Sequence, residues 1–334
     1  MVRIPLAEDA AVRTAPDGYL AEDLAAAVTA AVRAPSQHNT QPWRFRLSGG
    51  AIEIRSDPAR RLPIADPTGW AVRIACGAAL CNARLALAAR GRPADGVIRP
   101  VPAEADLVAR LVPGPPRPAT PAELALLAAV PRRRSTRARF SARPVPASIR
   151  ARLLDAVRSE GGWLDLIVGT AAVTAVAEIA HSADRVLRRN DDYRAEIEAW
   201  TRPAPSFDGV PPEAAGPTAD PTDVLPRRDF GGAVPERPGT PEPEPLVAVL
   251  GSPADTAAEQ IAAGRALQKL LLTVTDAGLA ASMVSQPIEV PAAREQLRLA
   301  LGRFGPPQMV VRIGYAAPGA VTPRRAAESV IIPE

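Results

Sequence analysis

The chain has 334 residues, of which 47% are hydrophobic and 23% charged, enough apolar material for one large core or two coupled half-cores and too much for a disordered chain. Aromatics make up only 4%, so the core must be built from Ala, Leu and Val. The net charge is +4, with Lys269 the sole lysine; this Arg-for-Lys bias marks composition rather than a nucleic-acid surface, and no basic face interleaved with aromatics is present.

In chain order, Met1 to Asp9 lacks the apolar stretch of a secretory signal, and no run is expected to reach membrane-spanning length. An amphipathic helix is expected from Leu24 to Arg33. Trp43 to Leu47 and Ala51 to Arg55 each alternate apolar and polar residues around Ser48-Gly49-Gly50, which predicts a hairpin. A nearly all-apolar helix opens at Ala75-Cys76-Gly77 and stops at Gly91. Cys76 and Cys81 on it have no partners at metal spacing and read as small buried hydrophobes. A strand follows at Asp106 to Val112.

The second half repeats this plan: a helix from Ile149 to Arg158, a strand from Leu164 to Val168, a second apolar helix from Ala262 to Gly278 and a strand from Gln308 to Gly314. At a constant offset of 187, Gly77 falls on Gly264, Leu80 on Leu267, Leu85 on Leu272 and Gly91 on Gly278. Helix, strand, buried helix, strand thus occurs twice, which points to a duplicated α+β unit joined near residues 120–135. The division is 1–125 and 126–334. A Pro-rich stretch at about 201–245 interrupts the second unit. Its composition reads either as a disordered linker or, because Phe207, Leu225, Phe230 and the pair Arg227-Arg228 give it anchors for docking, as a lid.

Three segments are not explained by core packing. The first, Pro35-Ser36-Gln37-His38-Asn39-Thr40-Gln41-Pro42-Trp43, is too long and too rich in hydrogen-bonding groups for a minimal helix–strand connection. The second, Arg132-Arg133-Arg134-Ser135-Thr136-Arg137, reads either as a solvated basic linker or as a set of guanidiniums and hydroxyls suited to a phosphate. The third is Gly314-Tyr315 followed by Thr322-Pro323-Arg324-Arg325. His181 lies in an apparent helix with Asp184 and Arg185 and reads as a surface histidine. Two histidines so far apart make no metal centre, and Gly-rich nucleotide motifs are absent.

Together these segments resemble the flavin-binding signature of the nitroreductase superfamily, with Gln286-Pro287-Ile288-Glu289 as a fourth element in which Val290 replaces the usual glycine. In that family an intertwined homodimer forms two FMN sites, each with arginines from one subunit and the Pro-Ser-x-x-Asn loop from the other. Here the loop lies in the first half and the arginines in the second. Ser159-Glu160-Gly161-Gly162-Trp163, at the matching second-half position, lacks the Asn and Gln, and Arg3 and Arg13 stand isolated. The layout resembles the tandem Acg-type family.

The resemblance implies an internally duplicated nitroreductase-like α+β fold in which one chain mimics the dimer. The unpaired cysteines and the N-terminus point to a cytoplasmic protein, and the placement of the motifs across the duplication points to a monomer with one FMN per chain. The resemblance places Arg133, Ser135, Arg324 and Arg325 on the phosphate, with Arg134 beside them and Arg137 at the N1–C2 edge of the ring. Pro35, Ser36, Asn39 and Gln41 fall on the ring or ribityl chain, and Pro287, Ile288 and Glu289 on the N5 side. His38 is a candidate for the substrate side. The chemistry implied is N5 hydride transfer, with NAD(P)H docking on the flavin face and a nitro, quinone or similar small acceptor. The alternatives are a lid-sealed flavin store, or a specialised flavin-dependent oxidase or dehydrogenase of secondary metabolism.

Overall fold

The computed structural model describes residues 18–97, 104, 106–203, 206–217, 223–231, 244–317 and 319–333. Arg3, Arg13 and the stretches 204–205, 218–222 and 232–243 of the insertion lie outside the described residues. Helix α1 (Ala21–Ala31) leads to the hairpin β1 (Trp43–Ser48) and β2 (Ala51–Ser56). Its two-residue turn, Gly49-Gly50, holds both residues at positive φ (54° and 72°), the geometry that matches the strand twist and that glycine reaches without strain. Then come α2 (Trp70–Ala89), β3 (Ala94–Val97) and β4 (Leu107–Pro113). Helix α3 (Pro121–Ala129), started by a Thr120–Glu123 capping box, occupies the expected join.

The second half runs α4 (Ala147–Arg158), β5 (Trp163–Ile167), α5 (Thr170–Arg188), α6 (Asp191–Ala199), α7 (Pro212–Ala215), β6 (Leu246–Gly251), α8 (Ala257–Asp276), β7 (Ala280–Val284), α9 (Gln286–Glu289), α10 (Pro291–Ala300) and β8 (Pro307–Gly314). Two antiparallel four-stranded sheets result, ordered β1-β2-β4-β3 and β5-β6-β8-β7. The same order in both is the repeat expected from sequence, with one correction. Each unit is helix, two strands, helix, two strands; β3, β6 and β7 were not foreseen. Val247-Ala248-Val249-Leu250 in β6 is buried throughout, so it shows no alternation by which sequence could separate a strand from a core helix.

Between β5 and β6, where the first half has its two-glycine turn, the second half carries residues 168–245, including α5 and α6. The departure from the repeat therefore begins well before residue 201.

The two units meet through α2 and α8. A Cβ on Gly77 would lie 2.1 Å from the Ile261 carbonyl oxygen, and one on Gly264 would lie 2.2 Å from that of Ile74. These contacts are mutual images under the offset of 187, as is the Arg73–Gln260 hydrogen bond. The helices cross on a pseudo-twofold axis with glycine on both sides. Helix α2 is 20 residues long and apolar enough to cross a membrane by length and composition, which corrects the expectation that no run reaches that length. It is a core helix here, with 89% of its apolar window buried. Beyond β8 the chain returns to the first unit, where Val330 is buried in the first core and the Ile332 N–H donates to the Phe45 carbonyl at 2.8 Å.

Candidate functional site

The loop between α1 and β1 is strained. His38, Asn39 and Gln41 hold positive φ (49°, 57° and 52°) although none is glycine, a conformation costing on the order of 1 kcal/mol or more at each and kept only where surroundings over-determine it. They do. Asn39 Nδ2 donates to the carbonyls of Gly209 (2.9 Å) and Pro323 (3.0 Å), while its Oδ1 accepts from Arg324 Nη1 at 2.9 Å. Gln41 Nε2 donates to the Phe207 carbonyl at 2.8 Å and its Oε1 accepts from the Arg325 N–H at 2.8 Å. Ser36 Oγ accepts the Gln41 N–H at 2.9 Å. Loop, insertion and C-terminal tail are thereby tied together.

The loop forms one wall of a cavity between the units. Pro35 to Asn39 face Trp70, Ala71, Ile74 and Ala75 from the first turns of α2, Leu267 from α8 and Met309 from β8. Arg133, Ser135, Thr136 and Arg137 line it from the segment before α4, Ser282 and Met283 from β7, and Arg324 from the tail. The insertion closes it with Val210, Pro226, Arg227, Arg228 and Phe230.

Of the residues expected at the site, Pro35, Ser36, His38, Asn39, Arg133, Ser135, Arg137 and Arg324 line this cavity. Gln41 lies behind its wall. Arg134 is exposed and donates to the Gly319 carbonyl at 3.2 Å. Arg325 turns away from the cavity toward Asp57, 3.8 Å distant. Pro287, Ile288 and Glu289 form α9 next to the cavity but outside its lining.

The cations divide into two kinds. Arg227 pairs with Asp223 at 2.7 and 2.8 Å. Arg228 pairs with Glu289, touches the Tyr193 hydroxyl and donates to Ser285 Oγ at 3.0 Å. Arg133, Arg137 and Arg324, by contrast, have no carboxylate partner among the described residues. Arg133 contributes two buried nitrogens, Nε and Nη1, with no acceptor among the described residues, and Arg324 one, Nε. Arg137 donates to the Ala214 carbonyl and lies over the Phe230 ring, 4.7 Å from its centroid. Burial lowers Arg133 and Arg137 to about 10. Burial first, then Arg133 and Arg33, lowers Arg324 to about 9. All three therefore stay charged near neutrality, and buried charge without a counter-charge is unfavourable. A bound dianion would supply that counter-charge, and the apolar faces of Trp70, Ile74, Leu267 and Met309 suit a flat ring attached to it. The residues present fit a phosphorylated aromatic cofactor.

Two expectations about the surroundings need correction. Phe207 does not anchor the insertion through its ring, which is 73% exposed; its backbone carbonyl does so, through Gln41. His181 is half-buried on α5, with Nε2 3.0 Å from the Asp223 carbonyl, because residues 223–231 fold back onto that helix. Leu225 and Phe230 are buried. Among the described residues no cluster of metal-binding side chains occurs, and both cysteines are buried and free. Sequence reasoning missed Gln37, Trp70, Ser282 and Met283 as wall residues. Trp70 precedes the expected start of its helix and Ser282 lies in a strand the sequence did not disclose, whereas Gln37 was inside the singled-out nonamer.

No family model matches the chain. Curated proteins do. The chain is 34% identical over 328 residues to "Putative NAD(P)H nitroreductase Rv3131" of Mycobacterium tuberculosis, covering 93% of this chain and 91% of that one. It is 29% identical over 323 residues to "Putative NAD(P)H nitroreductase acg" of the same organism, covering 94% and 97%. Among solved structures it is similar to the FMN and NADPH-dependent nitroreductase NfnB from a sphigopyxis strain, at 18% identity and a TM-score of 0.41, over 62% of this chain and 97% of that one.

Proposed function

The chain belongs to the NAD(P)H nitroreductase-like family of Rv3131 and Acg, and from that premise we propose that it is an FMN-dependent oxidoreductase using NAD(P)H to reduce a nitro, quinone or similar small acceptor. The observation that carries the reading is the set of guanidiniums, Arg133 buried and Arg137 and Arg324 half-buried, with no carboxylate partner among the described residues, in a cavity whose apolar wall includes Trp70, Ile74, Leu267 and Met309.

Arg133, Ser135 and Arg324 would hold the phosphate by charge-assisted hydrogen bonds. Arg137 would stand at the electron-rich edge of the ring. When bound, FMN supplies the hydride chemistry, so the protein's task is binding, orientation and electrostatics. The insertion narrows access through Val210, Pro226 and Phe230. NAD(P)H would dock in turn on the same face, since no Gly-rich nucleotide motif offers a separate site. We further propose that the chain works as a cytoplasmic monomer, the second unit standing in for a partner subunit.

The test compares FMN with riboflavin. Arg133→Ala and Arg324→Ala should each weaken FMN roughly ten- to a hundred-fold, the loss of about 1.5–3 kcal/mol for a charge-assisted contact, with riboflavin much less affected. Equal losses for both ligands would refute the phosphate assignment. A second reading, a flavin store with little turnover, is favoured by one observation: Asn39 and Gln41 hold the insertion shut by direct hydrogen bonds to Gly209 and Phe207. Anaerobic addition of NADH or NADPH separates the two. Bleaching of the flavin and recovery with an acceptor supports the enzyme, and a yellow protein that neither donor reduces supports storage.

A further inference from the structure

His38 sits in the cavity wall where loop and insertion meet. It is 4% exposed and held at positive φ. Its Nε2 lies 3.4 Å from Arg228 Nη1. A guanidinium only donates, so Nε2 is the acceptor of that contact and the ring proton belongs on Nδ1. Arg228 is not free to swing away, because Glu289, Ser285 and the Tyr193 hydroxyl hold it. The Phe230 edge packs against the imidazole, ring centroids 5.6 Å apart and planes at 72°. Nδ1 is buried and has no acceptor among the described residues, and His38 belongs to the cavity lining.

A buried N–H that gives up water without gaining a partner loses its full hydration. Such a donor beside a ligand cavity marks where the ligand supplies the acceptor. We propose that His38 is a neutral Nδ1–H donor, its tautomer fixed by Arg228 of the insertion, that hydrogen-bonds an acceptor oxygen of the molecule held in the cavity. That oxygen is a ring carbonyl of the flavin or a nitro or quinone oxygen of the acceptor; this identity, unlike the tautomer, rests on the FMN reading above. The charged groups around the ring agree. Burial, then Arg228 and Arg137, keep its pKa well below the usual histidine value, and Glu289, the carboxylate nearest by network, is already engaged by Arg228 and Tyr193. The role is one of orientation: no proton leaves the ring.

The chain has two histidines, so nitrogen-15 spectra of histidine-labelled protein give two ring systems, assigned with a His181→Gln variant. Spectra are taken without ligand, with FMN, and with FMN plus 4-nitrobenzoate in the absence of any electron donor. The expected result is one ring protonated only at Nδ1, unchanged between about pH 8 and about pH 5, whose N–H proton moves downfield on ligand addition. A shift with FMN alone identifies the flavin carbonyl, and a shift only with nitrobenzoate identifies the acceptor. A proton on Nε2, an imidazolium in that range, or an Nδ1–H that neither ligand moves would overturn the proposal. Failure of FMN to bind would overturn the cofactor reading, while tautomer and pH behaviour still decide the histidine. In a second variant, Arg228→Gln, the ring should become a mixture of tautomers; an unchanged Nδ1–H form would remove Arg228 from the assignment.

Discussion

Adding one methyl group at the centre of the molecule should be destabilising, and by an amount the structure lets us work out. The Cβ of Gly77→Ala would stand 2.1 Å from the Ile261 carbonyl oxygen and 3.0 Å from Gly264 Cα. Ordinary contact begins near 3.4 Å, so α2 and α8 must separate by more than an ångström along that vector. Both obstructing atoms are backbone, so no side chain can rotate away. Overpacking of this kind costs about 3 kcal/mol, and alanine's better helix propensity returns about 1 kcal/mol, leaving a loss of about 2 kcal/mol. Gly264→Ala, meeting the Ile74 carbonyl at 2.2 Å, should lose a similar amount.

The double variant is the sharper probe. Once the first methyl has moved the helices apart, the second finds room, so the combined loss should fall short of the sum. Ile74 and Leu267, which flank the crossing, also line the cavity, so FMN affinity should fall with stability. Denaturant unfolding of the ligand-free proteins, followed by flavin titration, measures both. A Gly77→Ala protein within about 0.5 kcal/mol of the parent, the scatter of innocuous surface changes, or strictly additive losses, would show that the helices do not meet at these glycines.

Glu53, fully buried on β2, accepts from Arg46, Arg55 and Arg110. Burial alone would raise its carboxyl, but the three guanidiniums hold it at about 2. Its stabilising contribution is therefore complete above the unfolded value near 4.5 and is lost as pH falls toward 2. Glu53→Gln should cost about 3 kcal/mol at neutral pH, the gap to the parent narrowing in acid; a gap constant with pH would refute the ion-pair account. For stoichiometry, flavin released per protein and mass in solution should give one FMN per monomeric chain, and two flavins per chain would refute the sharing of one site between unlike halves.

What the sequence disclosed depended on how each element carries its signal. The crossing helices were legible because glycine recurred at a fixed offset inside all-apolar runs. The loop from Pro35 to Trp43 was legible because it held more polar groups than a connection needs. Its internal use was not: Asn39 and Gln41 have the chemistry to bind a ligand, and only the tertiary placement of Gly209, Phe207 and Pro323 shows the protein itself taking up those groups. Arg324 and Arg325 are indistinguishable in sequence, yet one faces the cavity and the other Asp57. Strands β3 and β7 escaped notice because Ala94-Asp95-Gly96-Val97 and Ala280-Ala281-Ser282-Met283 are weak strand formers held by pairing to β4 and β8.

The two halves place positive charge differently beside their matching connections, and the difference bears on the proposal of one site per chain. In the first half the α1–β1 connection is a long polar loop, and the arginines beside it, Arg133 and Arg324, have no carboxylate partner among the described residues. In the second half the matching α4–β5 connection is short and carries Glu160. Its carboxylate lies within 3.5 Å of Arg84 on α2 and within 3.3 Å of Arg265 and Lys269 on α8. There the counter-charge is covalently part of the chain, so cations contributed by both crossed helices are satisfied without a ligand, and a phosphate would meet a carboxylate already in place. Replacing a ligand's charge by a side chain's turns a binding corner into a structural one. On the proposed reading the duplicated fold keeps its interface with a single site, because α2 and α8 already meet backbone to backbone at Gly77 and Gly264.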